Sequence, residues 1–343
     1  MLQNTIIGEL LCLAADEPDR SYQQRRALRR AGRAAFRWPM EAADLLTAER
    51  SLTELRFVGP WVARLISDWL LSPPPIPFPP AIRRHFMSRT DCDRILGRKP
   101  TEMNARGDLQ THTSGSDGTA TVGDMAVAAM ERGLEYLAVT DHSKGLTIAH
   151  GMNESELGRQ GDEIRRLNTE LGKKGFRLLR AVEMNLSPRG EGDLDGHFLA
   201  GLDLVLGAFH SRLRIAEDQT DRYLAALSNP CIHILAHPRG RIYNFRLGLR
   251  ADWGRVFEYA RDHDRAIEID GYPDRQDLDV ELLRMARDAG SLISFGSDAH
   301  APNQLAFLDF SIAGACEAGI PASRILNCWT VDQLLAWTGK PRS

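Results

Sequence analysis

Residues 266–300 read AIEIDGYPDRQDLDVELLRMARDAGSLISFGSDAH, and the predicted fold depends on the pattern they contain. Two short apolar runs, 266–270 and 292–296, have the length and composition of buried strands, and 280–289 between them has helical spacing. A helix that connects two buried strands indicates parallel pairing through a crossover connection. The second run leads directly into Asp298 and His300, whose side chains can bind metal ions.

The same alternation of strands and helices extends back to about residue 107. Seven strands are predicted, at 107–111, 136–140, 178–182, 204–209, 232–236, 266–270 and 292–296. Helical segments are predicted between them at 124–132, 154–171, 221–227, 253–262 and 280–289. This alternation indicates an α/β fold with a parallel sheet, either an open doubly wound sheet or a closed barrel. The positions of the histidines favour the barrel.

Metal-binding residue types follow six of the seven predicted strands at their carboxyl ends. They are Gln110, His112 and Asp117 after the first strand, His142 after the second, Glu183 after the third, His210 after the fourth, His237 after the fifth, and Asp298 and His300 after the seventh. In a parallel barrel these ends meet at one rim, where the sites of such barrels are built. Imidazole and carboxylate ligands suit zinc, manganese or iron, and the set exceeds what one ion can use. The alternative is coincidental placement on an inert barrel.

The composition excludes several classes of protein. Hydrophobic residues make up 43% and charged residues 26% of the 343 residues, which excludes a disordered, collagen-like or coiled-coil chain. Five scattered cysteines without a C-x-x-C pair indicate neither a disulfide framework nor a cysteine zinc site. No apolar run approaches the roughly 20 residues of a membrane-spanning helix, and the amino end lacks the features of a signal peptide. We therefore expect a soluble, cytoplasmic protein without a membrane partner.

Ordered motifs along the chain resemble those of a known superfamily. The chain is similar, over about residues 105–340, to the polymerase and histidinol phosphatase (PHP) superfamily of metal-dependent phosphoesterases, through the motifs GDLQTHTSGSDG, VTDHSKGLTIAHG, ILAHPRGR, IEIDGYPDRQDLD and SFGSDAH. It resembles in particular the C-terminal PHP domain of bacterial family X DNA polymerases. The resemblance implies a distorted (β/α)7 barrel with a centre of three divalent ions, zinc, manganese or iron, at its carboxyl rim.

The resemblance also implies which residues hold each ion. The ligands would be Gln110, His112, Glu183 and Asp298 for the first ion, Glu183, His210 and His237 for the second, and Asp117, His142 and His300 for the third. Glu183 would bridge the first two ions. Most of the superfamily has histidine where this chain has Gln110, and an amide oxygen is a weaker ligand than an imidazole.

The activity implied by the resemblance is the hydrolysis of a phosphoester by water whose pKa the ions lower. Arg239 and Arg275 lie just beyond predicted strand ends, where a planar guanidinium could bind phosphate with two hydrogen bonds. Asp298 is the third predicted catalytic residue. The alternative for the two arginines is a surface role in which each pairs with a neighbouring carboxylate.

Residues 1–71 are predicted to form a small all-α domain. Its stretch 20–37 places arginines at three- and four-residue spacing, at Arg25, Arg26, Arg29, Arg30 and Arg33. Such a helix face could meet phosphates, or it could be an ordinary solvated surface. The run SPPPIPFPP at 72–80 predicts an extended linker. We assign 72–103 to the linker and its connection and 104–343 to the PHP domain.

The segment 55–66, LRFVGPWVARLI, is similar to the helix-hairpin-helix pattern, in which a tight turn directs backbone amides at a DNA phosphate. Phe57 stands where the first of two glycines is usual, so a purely structural helical hairpin is the alternative. Residues 1–100 carry 16 basic and 11 acidic side chains, against 27 and 35 in the remainder, which favours a nucleic-acid contact in the first part. Residues 1–100 show no strand-borne acidic triad of a polymerase.

These observations together predict a metal-dependent phosphoester hydrolase. We expect it to act on DNA 3' ends in DNA repair, as a 3'-5' exonuclease or a 3'-phosphatase. One alternative is a phosphomonoesterase for small molecules, of the histidinol phosphatase or nucleotide phosphatase type. Another is a DNA-binding or scaffold protein with a vestigial metal site, for which Gln110 is the main support.

Overall fold

The computed structural model describes residues 2–76 and 78–340, which divide into two units. The first unit is the chain up to Arg98 together with Ile242–Leu247. The second unit is Lys99–Arg241 together with the chain from Gly248 onward. Met1, Pro77 and residues 341–343, which fall in the predicted ranges 1–71, 72–103 and 104–343, lie outside the described residues. None of the helices within the described ranges is long and apolar enough to cross a lipid bilayer.

The first unit is helical. Its helices are α1 (Asn4–Asp16), α2 (Tyr22–Ala35), α3 (Ala42–Thr47), α4 (Pro60–Leu71) and α5 (Arg89–Leu96). Helices α1 and α2 approach closely, because a Cβ atom on either Gly8 or Gly32 would lie 3.2 Å from the carbonyl oxygen of the other. The core between the helices contains Leu11, Leu28 and Ile66. The apolar spacing of the sequence therefore produces a small helical core.

The arginine-rich stretch lies mainly on α2, whose first turn is closed by a capping box between Ser21 and Gln24. The segment that is similar to the helix-hairpin-helix pattern has one 3-10 turn, Leu52–Glu54, before its turn and α4 after it. Phe57 has a φ of 64° in this turn, a conformation that favours glycine. The guanidinium of Arg30 lies 4.4 Å from the centre of the Phe57 ring. The helix-hairpin-helix assignment stays a prediction.

The first unit includes a segment from much later in the sequence, Ile242–Leu247. Arg83 donates to both carboxylate oxygens of Glu9 at 2.6 and 2.7 Å, and its third nitrogen donates to Asn244 at 3.1 Å. Tyr243 packs against Phe36 with ring centres 4.6 Å apart. The residues that follow 71 thus contribute contacts as well as a connection, and the limits at 71 and 103 stay predictions.

The second unit is a nearly closed barrel of seven parallel strands, so the predicted α/β fold of the (β/α)7 type is confirmed. The strands are β1 (Gly107–Asp108), β2 (Tyr136–Val139), β3 (Arg177–Asn185), β4 (Leu204–Ala208), β5 (Ile234–Leu235), β6 (Ala266–Asp270) and β7 (Leu292–Gly296). Each strand pairs in parallel with the next. Strands β2 and β4 are buried along their whole length, which is typical of parallel strands covered on both faces.

Helices connect the strands and continue after the last one. They are α6 (Val122–Glu131), α7 (Glu154–Leu171), α8 (Gly196–Leu199), α9 (Thr220–Ser228), α10 (Trp253–Asp262), α11 (Val280–Ala289), α12 (Leu308–Ala318) and α13 (Val331–Thr338). The five predicted helices correspond to α6, α7, α9, α10 and α11. Helix α11 begins after Asp279, whose carboxylate accepts a hydrogen bond from the Leu282 N–H at 3.1 Å.

The barrel closes between β1 and β7 through backbone hydrogen bonds and one buried side chain. Leu109 N donates to the Phe295 carbonyl at 3.2 Å, and beyond the two strands Asp298 N donates to the Gln110 carbonyl at 3.1 Å and His112 N to the Ala299 carbonyl at 2.8 Å. Asn327 Nδ2 donates to the carbonyls of Gly107 and Phe295 at 2.8 and 2.9 Å, and its Oδ1 accepts from Phe295 N at 2.6 Å. The Asn327 side chain therefore adds three buried hydrogen bonds to this seam.

Replacing Asn327 by Ala should destabilise the second unit by about 2–4 kcal/mol, because three hydrogen bonds are lost and their partners stay buried. Urea unfolding of the full chain, followed by circular dichroism, measures the change. Asn303→Ala is the matched control, since Asn303 is exposed and its replacement should cost less than about 0.5 kcal/mol. Equal stabilities of the two variants would contradict this account of the seam.

Candidate metal centre

The nine predicted ligands all lie at the carboxyl ends of barrel strands or in the loops that follow. Gln110, His112 and Asp117 follow β1, His142 follows β2, Glu183 lies in β3, His210 follows β4, His237 follows β5, and Asp298 and His300 follow β7. Gln110, His112, Glu183 and Asp298 are at most 2% exposed, so the first predicted set is almost closed to solvent. The placement follows from parallel strand order, because successive strands deliver their next residues to the same rim.

Glu183 is fully buried at the centre of this set. Its Oε1 lies 3.0 Å from His210 Nε2 and 2.7 Å from His237 Nε2. Its Oε2 accepts from the side-chain nitrogen of Gln110 at 3.0 Å. The same oxygen lies 3.3 and 3.4 Å from ring nitrogens of His112 and His142. A single carboxylate thus gathers ligands that follow four other strands.

The remaining predicted ligands surround His112. Asp298 Oδ1 lies 3.1 Å from His112 Nε2, and Asp117 Oδ1 lies 3.9 Å from His112 Nδ1. The same oxygen of Asp117 lies 3.3 Å from His300 Nε2 and 3.6 Å from His142 Nε2. The rings of His142 and His300 each stack on the His112 ring, with ring centres 4.4 Å apart. All nine predicted ligands are therefore brought together, whereas their division among particular ions stays a prediction.

The side chains in this cluster fit a cation. Three groups of ligand atoms each lie within 4.8 Å of one another, and every group contains imidazole nitrogen and carboxylate oxygen. Several atoms of the nine ligands are buried without a hydrogen-bond partner in the described part of the chain, among them both ring nitrogens of His112, His142 Nδ1 and Gln110 Oε1. Unpartnered buried polar atoms are costly unless something binds them. Imidazole and carboxylate donors of this kind suit a transition-metal ion.

The pKa values in the cluster follow from burial and from neighbouring charges. Burial alone would raise the pKa of Glu183, but the imidazoles of His142 and His237 keep it well below its usual range. Burial lowers the pKa of His142 to about 3. Burial would also lower the pKa of His112, but the carboxylates of Asp298 and Glu183 raise it well above its usual value. The protein therefore keeps Glu183 anionic and His142 neutral, as metal ligands must be.

The two predicted catalytic arginines both pair with carboxylates. Arg275 Nη2 lies 3.3 Å from Asp298 Oδ2, so this arginine reaches a predicted metal ligand. Arg239 Nη1 donates to Asp279 Oδ2 at 2.7 Å, and Arg241 donates to the same oxygen at 3.0 Å. Pairing with carboxylates was the alternative left open for these arginines. Their role in binding phosphate stays a prediction.

Asp141 has a role that the sequence reading did not assign. Its buried carboxylate accepts hydrogen bonds from Thr113 N at 2.7 Å and Ser116 Oγ at 2.6 Å, and also from Gln160 Nε2. These contacts tie the loop that carries Asp117 to the end of β2 and to α7. In the sequence, this role is indicated only by the position of Asp141 next to His142, and that position would suit a second metal ligand equally well.

A second group without an assignment consists of buried carboxylates near the first set of ligands. Glu268 in β6 is fully buried, and its Oε2 accepts from His237 N at 2.7 Å. Burial and the neighbouring charge of Asp270 raise the pKa of Glu268 well above its usual value. The signal in the sequence was a pair of acidic residues two positions apart, Glu268 and Asp270, in a fully buried strand. That pattern alone does not say what the carboxylate contacts.

Two features together define the class of this protein: a parallel barrel, and a rim that gathers buried imidazoles and carboxylates able to hold metal ions. A comparison with models of known families finds no match. The chain is 34% identical over 233 residues to the DNA polymerase/3'-5' exonuclease PolX of Bacillus subtilis, which covers 68% of this chain and 40% of that protein. It is 29% identical over 240 residues to a probable phosphatase of Tolumonas auensis, covering 66% of this chain and 90% of that protein.

One further relative is also named as a probable phosphatase. The probable phosphatase YcdX of Escherichia coli is 27% identical over 235 residues, 64% of this chain and 89% of that protein. The solved structure of histidinol phosphate phosphatase from Lactococcus lactis, complexed with zinc, L-histidinol and phosphate, aligns with a TM-score of 0.48 at 16% identity, over 63% of this chain and 95% of that one. The chain has the motifs and the barrel of the PHP superfamily and belongs to it. It matches less than half the length of the Bacillus subtilis relative.

Binding of Mn2+ to the metal-free protein at pH 7 should release protons, because a cation beside Glu183 and Asp298 displaces the proton that these carboxylates favour on His112. The affinity should therefore fall as the pH is lowered. Calorimetric titration at one pH in two buffers with different ionisation enthalpies measures the protons released. Identical heats in the two buffers would contradict this prediction.

Proposed function

We propose that this protein is a metal-dependent hydrolase of phosphoesters. The observation that carries the proposal is the contact of one buried carboxylate, Glu183, with side chains that follow four other strands. Burying many ionisable groups together costs stability, since apolar side chains would fill the same space more favourably. Such clusters are therefore typical of functional sites.

The nine side chains would hold up to three divalent ions, with zinc, manganese or iron as the candidates. When bound, ions of this kind lower the pKa of water and stabilise charge on phosphoryl oxygens. The chain itself keeps Glu183 anionic and His142 neutral, so that both present lone pairs. It also limits access of bulk water, because the first predicted set is almost fully buried.

Arg275 is the residue that would orient the phosphate. Its side chain is 27% exposed, and its guanidinium faces Asp298 and Asp270. A guanidinium offers several N–H donors in one plane, which matches the oxygens of a phosphate. Arg239, held by Asp279, would add positive charge next to the strand end that carries His237.

We propose DNA 3' ends as the substrate, with removal of a nucleotide or of a 3' phosphate. Two observations support this choice. The relative from Bacillus subtilis is named as a 3'-5' exonuclease as well as a polymerase. In addition, Arg26 and Arg33 are exposed on α2, which gives the first unit cationic groups for contact with a nucleic-acid backbone. Such a protein would act in the cytoplasm, in DNA repair.

A small phosphomonoester is the second candidate substrate. It is favoured by the relatives named as probable phosphatases, which match this chain along about nine tenths of their own length. The acidic balance of residues 101–343 also opposes a polyanion wherever ions and arginines do not compensate it. The third candidate, a binding protein with a vestigial metal site, rests on Gln110 alone.

Glu183→Gln should lower turnover more than about 100-fold, because the central anion of the metal centre is lost. The assay uses Mn2+-loaded protein with p-nitrophenyl phosphate and with 3'-labelled single-stranded DNA, and EDTA should abolish both activities. Glu170→Gln makes the same chemical change at an exposed position and should be neutral. Near-normal rates in Glu183→Gln would refute the assigned site.

The double variant Arg26→Ala/Arg33→Ala should reduce cleavage of limiting single-stranded DNA about 3–10-fold at low salt, because two cations that can meet the backbone are removed. Its rate on p-nitrophenyl phosphate should not change. Lys174→Ala/Arg177→Ala removes two exposed cations from the second unit and serves as the control. If wild-type activity is confined to p-nitrophenyl phosphate, the DNA substrate is wrong and the small phosphomonoester stands.

A further inference from the structure

Two buried side chains meet above Gly296. Gln110 follows β1 and Glu268 lies in β6, and β7, which carries Gly296, runs between these strands. A Cβ atom on Gly296 would lie 2.2 Å from Glu268 Oε1 and 3.0 Å from Gln110 Oε1. Only a residue without a side chain leaves room for both. Gly296 therefore lets a carboxylate and an amide approach each other inside the barrel.

When Glu268 is ionised beside a bound cation, the two atoms that face this space are both hydrogen-bond acceptors. Glu268 Oε1 and Gln110 Oε1 are buried, and neither has a hydrogen-bond partner within the described residues. The other atoms of the two groups are engaged, since Glu268 Oε2 accepts from His237 N at 2.7 Å and Gln110 Nε2 donates to Glu183 at 3.0 Å. Two acceptors that face each other without a donor are unfavourable in a buried site.

A half-turn of the Gln110 amide resolves this conflict. The amide oxygen and nitrogen have almost the same shape, so the rotation needs no other movement. The nitrogen would then donate to Glu268 Oε1, and the oxygen would face Glu183, whose carboxylate oxygen lies within 4.8 Å of one from Asp298. An oxygen next to these carboxylates is favourable when a cation lies among them. Glu268 and a cation therefore favour the same orientation of the amide.

We propose that Glu268 is a positioning residue that turns the amide oxygen of Gln110 toward the first ion of the metal centre. Glu268 acts through the amide N–H group and does not touch the ion. An amide is a weaker ligand than the imidazole found there in most of the superfamily, and fixing its orientation in advance offsets part of that difference. The inference rests on the proposed metal centre.

The test is Glu268→Gln in the full chain. The carbonyl oxygen of the new side chain must accept from His237 N, so its NH2 group faces Gln110 and binds the amide oxygen there. This holds the oxygen of Gln110 away from the ion. We expect the affinity for one equivalent of Mn2+ to fall about 10–100-fold, with the other equivalents unchanged. The titration starts from metal-free protein, and the electron paramagnetic resonance signal of free Mn2+ reports binding.

The rescue variant is Gln110→Glu/Glu268→Gln. A carboxylate at position 110 has two equivalent oxygens, so one can accept from the new amide at 268 while the other faces the ion. We expect the lost equivalent of Mn2+ to return in this double variant. Glu170→Gln is the control for the substitution itself. Circular dichroism and the thermal midpoint show whether each variant is folded.

Two results would overturn the inference. One is unchanged Mn2+ binding by Glu268→Gln, and the other is a loss that the double variant does not restore, since that loss would reflect damage rather than orientation. If the single variant does not fold, the double variant alone decides. Binding of as many equivalents of Mn2+ as the wild type supports the inference, and binding of one equivalent fewer overturns it. Failure of the wild type to bind any Mn2+ would instead reject the proposed metal centre.

Discussion

The burial of the Glu183 carboxylate is the constraint on which the rest of the barrel's chemistry depends. A charge removed from water has to be compensated within the protein, and here the compensation comes from side chains that follow four other strands. These side chains can converge only if the strands are parallel and in sequence order, as they are. The closure of the barrel between β1 and β7 and the assembly of the site are thus parts of one arrangement.

Much of the fold could be predicted because each strand is a short apolar run and metal-binding residue types follow most of these runs. The seven strands and five helices appear in the sequence as apolar runs and helical spacing, and parallel order then brings distant ligands together. The predicted ranges of two strands, 107–111 and 232–236, are too long, since β1 and β5 comprise only Gly107–Asp108 and Ile234–Leu235. Beyond Asp108 the pairing of the first strand is interrupted, with Thr111 in an isolated bridge to Ala299, and local composition does not record such an interruption.

The supporting contacts could not be predicted in the same way. Asp141 binds a loop through Thr113 and Ser116, and Glu268 binds the backbone of His237. Each contact joins residues that are distant in the sequence, and each depends on a side-chain direction that only the folded barrel determines. Motif similarity identifies residues that could bind an ion. The residues that orient those ligands cannot be distinguished in the sequence from other acidic residues.

The segment Ile242–Leu247 belongs to the helical unit, although the residues before and after it in the sequence belong to the barrel. It begins five residues after His237, yet Tyr243 and Asn244 pack with Phe36 and Arg83 in the helical unit. A shortened gene that starts at Lys99 would still encode this segment but would uncover the tyrosine ring. A protein shortened in this way would therefore also need a polar replacement for Tyr243, because this residue is only 3% exposed in the full chain.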